Sequence, residues 1–142
     1  MDELYSDIIL HHYRHPHNNG TLKNPTVRVR EYNPLCGDVI MMDAMVGREG
    51  IIKRVKFSGE GCAISQASAS LLTDTMIGMP IKKIQQMSAD DIQRLLHIPI
   101  SPGRMKCALL PLSAAKRIAA EAHVIQKPYA KKSKGTPAKR KK

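Results

Sequence analysis

Three cysteines carry the reactive chemistry of this chain, and each sits in a segment suited to presenting a thiolate. Cys36 lies in Asn33-Pro34-Leu35-Cys36-Gly37-Asp38, a turn with a carboxylate two residues on. Cys62 closes Gly59-Glu60-Gly61-Cys62, where a glycine hinge runs into an expected helix. Cys107 follows two cations in Arg104-Met105-Lys106-Cys107. The thiolate is the form that ligates metal and attacks sulfur, and helix N-termini or neighbouring Lys and Arg stabilise it. Cysteines placed this way are set up to handle metal or sulfur.

Zinc takes four ligands in a tetrahedron, and thiolate, imidazole and carboxylate all serve. Cys36, Asp38, Cys62 and Cys107 add up to four, with Gly37 adding no bulk between the first two. The same set could hold iron and sulfide, although a carboxylate makes a more labile partner for a cluster than a fourth cysteine. A free cysteine is often only a small buried hydrophobe. That bland reading is weakened here because all three stand beside a glycine, a cation or a helix start. The spacing lacks the Cys-x-x-Cys knuckles of a structural zinc site and the pairing of a disulfide framework. Three separated cysteines fit a reducing compartment.

The elements that must position these residues can be read from periodicity. Leu4 to about Arg14 has helical spacing and is ended by Pro16 and Asn18-Asn19-Gly20. Thr26 to Tyr32 alternates as a half-buried strand, and Val39 to Val46 is a second strand. Ile51 to Phe57 follows a turn at Arg48-Glu49-Gly50 and predicts a hairpin partner with Ile51, Lys53, Val55 and Phe57 on one face. Cys62 to Ile77 predicts a helix with Ile64, Ala67, Leu71 and Met76 inward, stopped by Gly78 and Pro80. Ser88-Ala89-Asp90-Asp91 opens a short helix to about Leu96. A proline deep in a helix costs about 3 kcal/mol. Pro111 therefore places the start of the last helix near Cys107 or Ala108, running to about Val124.

The formal charge of +11 is concentrated at one end. Eight of the 23 basic residues lie from Lys127 onward, leaving 15 basic against 12 acidic residues in the body. Residues 1–126 are expected to form one domain and 127–142 a disordered lysine-rich tail. The single Phe and absent Trp make the core aliphatic, with eight Met as gap fillers. Met1-Asp2-Glu3-Leu4-Tyr5 has neither a basic start nor an apolar stretch, and no apolar run approaches membrane-spanning length. The expectation is a cytoplasmic protein that works without a membrane.

The cysteine motifs also carry a resemblance. Asn33-Pro34-x-Cys36-Gly37-Asp38, Phe57-x-Gly59-x-Gly61-Cys62-Ala63-Ile64-Ser65-x-Ala67-Ser68-Ala69-Ser70 and Arg104-x-Lys106-Cys107-Ala108-x-Leu110 are similar to the scaffold proteins of iron–sulfur cluster assembly, the IscU, SufU and NifU N-terminal family. Tyr13-Arg14-His15-Pro16-x-Asn18-x-Gly20 resembles the start of the SufU branch. The resemblance spans about Leu4 to Ala122 and implies an α+β fold, a small antiparallel three-stranded sheet with helices packed on it. It implies a cysteine desulfurase, SufS-like or IscS-like, as persulfide donor, and iron–sulfur acceptor proteins downstream. Its implied ligands for zinc or a [2Fe–2S] cluster are Cys36, Asp38, Cys62 and Cys107. The expected role is that of a scaffold or sulfur acceptor rather than an independent enzyme.

Branch features are mixed. Lys106 stands where IscU-type members usually have a histidine, as in SufU-type members, while the stretch from Cys62 to Cys107 is short, as in IscU. Ile98-Pro99-Ile100-Ser101-Pro102-Gly103-Arg104 replaces the segment read by a dedicated chaperone in some IscU systems. In the SufU picture a desulfurase histidine takes a place on zinc and frees Cys36 to receive sulfur; in the IscU picture Cys107 is the main acceptor. Both stay open on sequence.

Two features lie outside this chemistry. His11, His12, His15 and His17 crowd the end of the first helix, with His11 and His15 one turn apart. They read as a solvated or partner-facing surface in preference to a metal site. The tail suggests a competing function, a zinc-stabilised basic binding module, since clustered lysines can bind nucleic acid. Only Tyr129 interrupts the basic residues as an aromatic and no nucleic-acid-binding motif accompanies them, so nucleic acid is not the expected partner.

Overall fold

The protein is described from a computed structural model covering residues 2–35, 37–97 and 99–135, with side chains of 7–35, 37–97 and 99–125. Eight elements follow in order: α1 (Asp2–Arg14), β1 (Val27–Asn33), β2 (Asp38–Val46), β3 (Ile52–Glu60), α2 (Ala63–Met76), α3 (Ile81–Gln85), α4 (Ala89–Leu96) and α5 (Pro102–Gly135). The strands form an antiparallel sheet in the order β1-β2-β3. Alternation puts Val27, Val29, Ile40, Met42, Ala44, Val55 and Phe57 into the core. There α5 packs on β1 and β2, and α2 packs on β3 and α5.

One expected strand face needs correction. Ile52, Val55 and Phe57 are buried while Lys53 is exposed. The β2–β3 register shifts between Met45 and Val46, and such an irregularity changes the phase of alternation along the strand. Lys53 is thereby turned outward, with its long cationic side chain in solvent.

The last helix also differs from expectation. It begins at Pro102, not Cys107, so Cys107 sits in its second turn. Pro102 needs no N–H at the first helical position and has its φ already set for a helix. Pro111 falls in the interior, where it lacks the N–H for the carbonyl four residues earlier. The core offsets that cost: Ala108, Leu110, Leu112, Ala114, Ala115, Ile118, Ala119 and Ala122 of α5 are all buried. Ser68 Oγ of α2 donates to Ala108 O at 2.7 Å, three residues before the proline. The backbone stays helical to Gly135, beyond the 1–126 boundary expected for the domain. Lys and Ala are good helix formers, and a helix already nucleated extends at little cost. Residues 136–142, the end of the expected tail, lie outside the described residues.

Helix α2 is buried nearly all round, including Ser65, Gln66, Ser68, Ser70, Leu72 and Thr73. Leu72, not Leu71, is its fully buried leucine. Helix α1 lies against it through His12, whose Nδ1 is 2.7 Å from Ser70 Oγ. Burial, then the charges of His17 and His11, hold His12 below its ordinary pKa, against an opposing pull from Asp74. The short α4 carries the expected cap: the Ser88 N–H donates to Asp91 Oδ2 at 2.8 Å.

On the other face of the sheet, Asp43 is buried opposite its cross-strand partner Arg28. Arg28 grips it with two bonds, Nε to Oδ1 at 2.7 Å and Nη2 to Oδ2 at 2.9 Å. The Leu22 N–H donates to Asp43 Oδ2 at 2.9 Å, and Arg28 Nη2 returns a bond to Leu22 O at 3.0 Å. This closed set pins the segment before β1 across the sheet. Burial alone pushes the Asp43 carboxyl up, but the Arg28 bond, the Leu22 amide and the Arg28 charge together hold it below its ordinary value.

A depressed native pKa contributes stability that is fully present above the unfolded value of about 3.8 and is lost as pH falls through the native value. Arg28→Ala is therefore expected to lower stability in chemical denaturation at pH 7. The gap from wild type should narrow as pH falls below the unfolded value of about 3.8 and through the lower native value, where the folded Asp43 takes up a proton. A gap independent of pH would assign the loss to packing of the arginine stem.

Candidate metal centre

Three elements meet at one end of the sheet and bring together Asp38, Cys62 and Cys107. One ligating atom from each lies within 4.8 Å of the other two. Asp38 is the first residue of β2, Cys62 is the N-cap of α2, and Cys107 lies in the second turn of α5. Cys36, the fourth expected ligand and a candidate sulfur acceptor, lies outside the described residues. Its chain neighbours Leu35 and Gly37 are exposed, Leu35 at 75%.

The hairpin between β1 and β2 aims Asp38 inward. Asn33 pairs with Asp38 across the two strands. The Leu35 N–H donates to Asn33 Oδ1 at 3.0 Å, and the Gly37 N–H donates to Asn33 O at 2.7 Å. Gly37 reverses the chain with φ at +76°, a left-handed conformation that glycine adopts without steric cost. The turn leaves the Asp38 side chain buried at 5% exposure.

The junction of β3 and α2 is held close by the absence of a side chain at Gly61. A Cβ there would stand 2.3 Å from Ser65 Oγ and 3.1 Å from Asp38 Cγ. The Cys62 sulfur occupies the place where helices usually carry a Ser or Asp oxygen. Its Sγ accepts from the Ser65 N–H at 3.5 Å, while Ser65 Oγ donates back to Cys62 O at 3.1 Å. The third donor, Cys107, is 9% exposed, and Lys106 and Arg104 before it are both exposed.

The donor chemistry fits a cation. Among the described residues, Asp38 Oδ2 is buried with no hydrogen-bond partner. An unpartnered carboxylate oxygen is costly to bury, and a bound cation beside two sulfurs removes that cost. Sulfur and carboxylate donors together suit zinc, and two thiolates suit iron with sulfide. Gln66 stands in no motif of the sequence. Its Nε2 is the other buried side-chain atom without a partner among the described residues, one helical turn beyond Cys62. Its spacing of four from Cys62 was the available signal.

A three-stranded sheet flanked by helices, with sulfur and carboxylate donors converging from a hairpin and two helices, defines a metal- or cluster-handling protein class. The sequence matches the NifU-like N terminal domain over residues 4–128, and the chain belongs to that family. It is 34% identical over 134 residues to the zinc-dependent sulfurtransferase SufU of Bacillus subtilis, spanning 82% of this chain and 90% of that protein. It is 32% identical over 120 residues to the iron–sulfur cluster assembly scaffold protein IscU of Escherichia coli, spanning 82% and 92%. The fold matches a crystal structure from Fervidobacterium islandicum, a putative iron–sulfur cluster assembly scaffold protein for the SUF system. That match has a TM-score of 0.71, covers 81% of this chain and 96% of that one, and has 24% identity. Among the described residues, no helix is long and apolar enough to cross a membrane.

Gly61→Ala tests whether the close approach matters for metal. Its methyl group would press on the Asp38 carboxylate and the Ser65 hydroxyl. Zinc affinity, measured by competition with a chromophoric chelator, is expected to fall at least about tenfold, a loss of about 1.4 kcal/mol, while the circular dichroism spectrum is retained. Unchanged affinity would mean that Asp38 is not held in place by this contact.

Proposed function

We propose that this chain is an iron–sulfur cluster assembly scaffold that accepts sulfur from a cysteine desulfurase and passes assembled [2Fe–2S] clusters to acceptor proteins. The observation that carries the reading is the buried, unpartnered Asp38 oxygen beside the Cys62 and Cys107 donors. Membership of the NifU-like N terminal family supports it, as do relatives named as a scaffold and as a sulfurtransferase. Cys36, Asp38, Cys62 and Cys107 form the ligand set. Cys36 stands two residues before Asp38 in the sequence. Zinc in this set would hold thiolates deprotonated at neutral pH and stabilise the fold. The cluster, by contrast, is cargo.

Sulfur transfer requires an acceptor that a partner can reach. Cys36 is the better candidate, because Leu35 and Gly37 beside it are exposed while Cys107 is almost buried. The Cys36 thiolate attacks the outer sulfur of the desulfurase persulfide and forms a new S–S bond. The old S–S bond breaks, the desulfurase cysteine leaves as a thiolate, and Cys36 becomes the persulfide. No net oxidation occurs. Asp38, Cys62 and Cys107 would hold metal while this exchange proceeds. The chain acts as substrate and carrier in this scheme, with the desulfurase as the enzyme, in a reducing compartment such as the cytoplasm. No observation favours a basic binding module built on the tail.

The test is cysteine desulfurase turnover with and without this protein, followed by intact mass under non-reducing conditions. Wild-type protein should raise turnover and gain sulfur at Cys36, and Cys36→Ser should abolish both. Sulfur retained by Cys36→Ser and lost in Cys107→Ser would move the acceptor to Cys107. No stimulation and no added sulfur with metal-loaded protein would overturn the reading. Separately, Asp38→Ala should leave all three cysteines in place yet weaken zinc retention by at least about tenfold in chelator competition. Undiminished retention would remove Asp38 from the ligand set.

A further inference from the structure

The end of α1 and the loop after it bring histidines together on the flank of α2. One ring nitrogen from each of His11, His12 and His17 lies within 4.8 Å of the other two. The ring centroids of His12 and His17 are 4.6 Å apart, those of His11 and His12 5.2 Å, and those of His11 and His17 5.9 Å. This grouping differs from the His11 and His15 pair that helical spacing suggests. His17 reaches the cluster because the chain turns back after Pro16, and its N–H donates to Ser70 Oγ at 2.8 Å.

Outer-shell groups orient two of the three rings, those of His12 and His17. A carboxylate can only accept, so the 2.6 Å contact of His17 Nδ1 with Asp74 Oδ2 places a proton on Nδ1, and Nε2 is the nitrogen left to face a metal. Asp74 is itself held by Asn18 Nδ2, which donates to Oδ1 at 2.9 Å. His12 Nδ1 faces Ser70 Oγ at 2.7 Å, so its Nε2 is likewise directed away from α2. A carboxylate behind the His17 imidazole is the support that raises ligand basicity, and the Ser70 hydroxyl holds the His12 ring in place.

We infer that His11, His12 and His17 form a second metal site, which takes a borderline divalent ion such as Zn²⁺, Co²⁺, Ni²⁺ or Cu²⁺. Three imidazoles suit these ions, and three protein ligands leave a position for water or a further donor. Bonds of about 2.0–2.1 Å place tetrahedral nitrogens about 3.4 Å apart, so atoms within 4.8 Å of one another close in by at most about 1.4 Å. Rotation of the exposed His11 ring, with a small shift of the loop that carries His17, supplies that movement. Ser70 and Asp74 lie eight and twelve residues beyond Cys62 along α2, or about 12 and 18 Å along its axis. The site is therefore separate from the cysteine centre and does not depend on the function proposed for it.

The experiment is cobalt(II) titration of the zinc-loaded full chain, followed by visible absorption and native mass spectrometry. The expected result is one additional cobalt per chain, with ligand-field bands but no thiolate charge-transfer band. His11→Ala with His17→Ala should lose that cobalt while keeping zinc and the wild-type circular dichroism spectrum. Asp74→Asn should weaken it about 10- to 100-fold through the His17 ring, and His15→Ala should leave it unchanged. Three results would overturn the site: no second metal at 100 µM cobalt or below, thiolate charge transfer without added stoichiometry, or equal cobalt binding by the double variant.

Discussion

The approach of Gly61 to the Asp38 carboxylate sets how the sheet and helices meet. The β1–β2 hairpin delivers Asp38 to the end of the sheet, and β3 must pass beside it before turning into α2. With a Cβ 3.1 Å from Asp38 Cγ and 2.3 Å from Ser65 Oγ, both side chains would have to give way. Gly59 meets the same constraint one step earlier, since its Cβ would fall 2.0 Å from Val39 O. Two glycines thus let a strand edge, a carboxylate and a helix start share a volume that ordinary residues would fill. The Cys62 sulfur enters that volume as the helix cap, so the geometry that starts α2 also places a ligand.

Burial makes this arrangement costly without a cation. An unsatisfied buried polar group costs roughly 1–3 kcal/mol, and more when charged. Asp38 Oδ2 carries such a cost among the described residues, whereas Asp43 on the opposite face does not. Both carboxylates are buried on the same strand, but Asp43 has Arg28 and the Leu22 amide. The contrast separates a carboxylate used for structure from one left available for chemistry.

Much of this was legible in the sequence. The strand alternation, the hairpin, the Ser88 cap and the cysteine motifs each rest on local patterns of a few residues, and the sheet and α4 follow them. Local pattern fails where distant contacts decide. Pro111 argues for a late start to α5, yet the buried alanines and Ile118 hold the helix through it and let Pro102 begin it. Lys53 matches the alternation on paper, and only the register shift at Met45 and Val46 turns it outward. Short α3 has too few residues to carry a period of its own. His17 joined no pattern, because its place beside His12 depends on Ser70 and Asp74, more than fifty residues away.

Helix α2 explains why so many of these relations converge. A helix buried on nearly every side is ordinarily apolar all round, but this one carries Ser65, Ser68, Ser70 and Thr73 inside. Each hydroxyl makes a specific bond: Ser65 to the Cys62 carbonyl, Ser68 to Ala108 in α5, Ser70 to His12 and His17 around α1, and Thr73 to its own helix and Asn18. Small side chains let α1 and α5 come close, and their oxygens then fix the register of that approach. Exchanging these serines for alanines would preserve volume and close packing but remove the register. The polarity of α2 therefore does what larger apolar residues cannot: it holds Cys62 and Cys107 in one relation at one end, and orients imidazoles at the other.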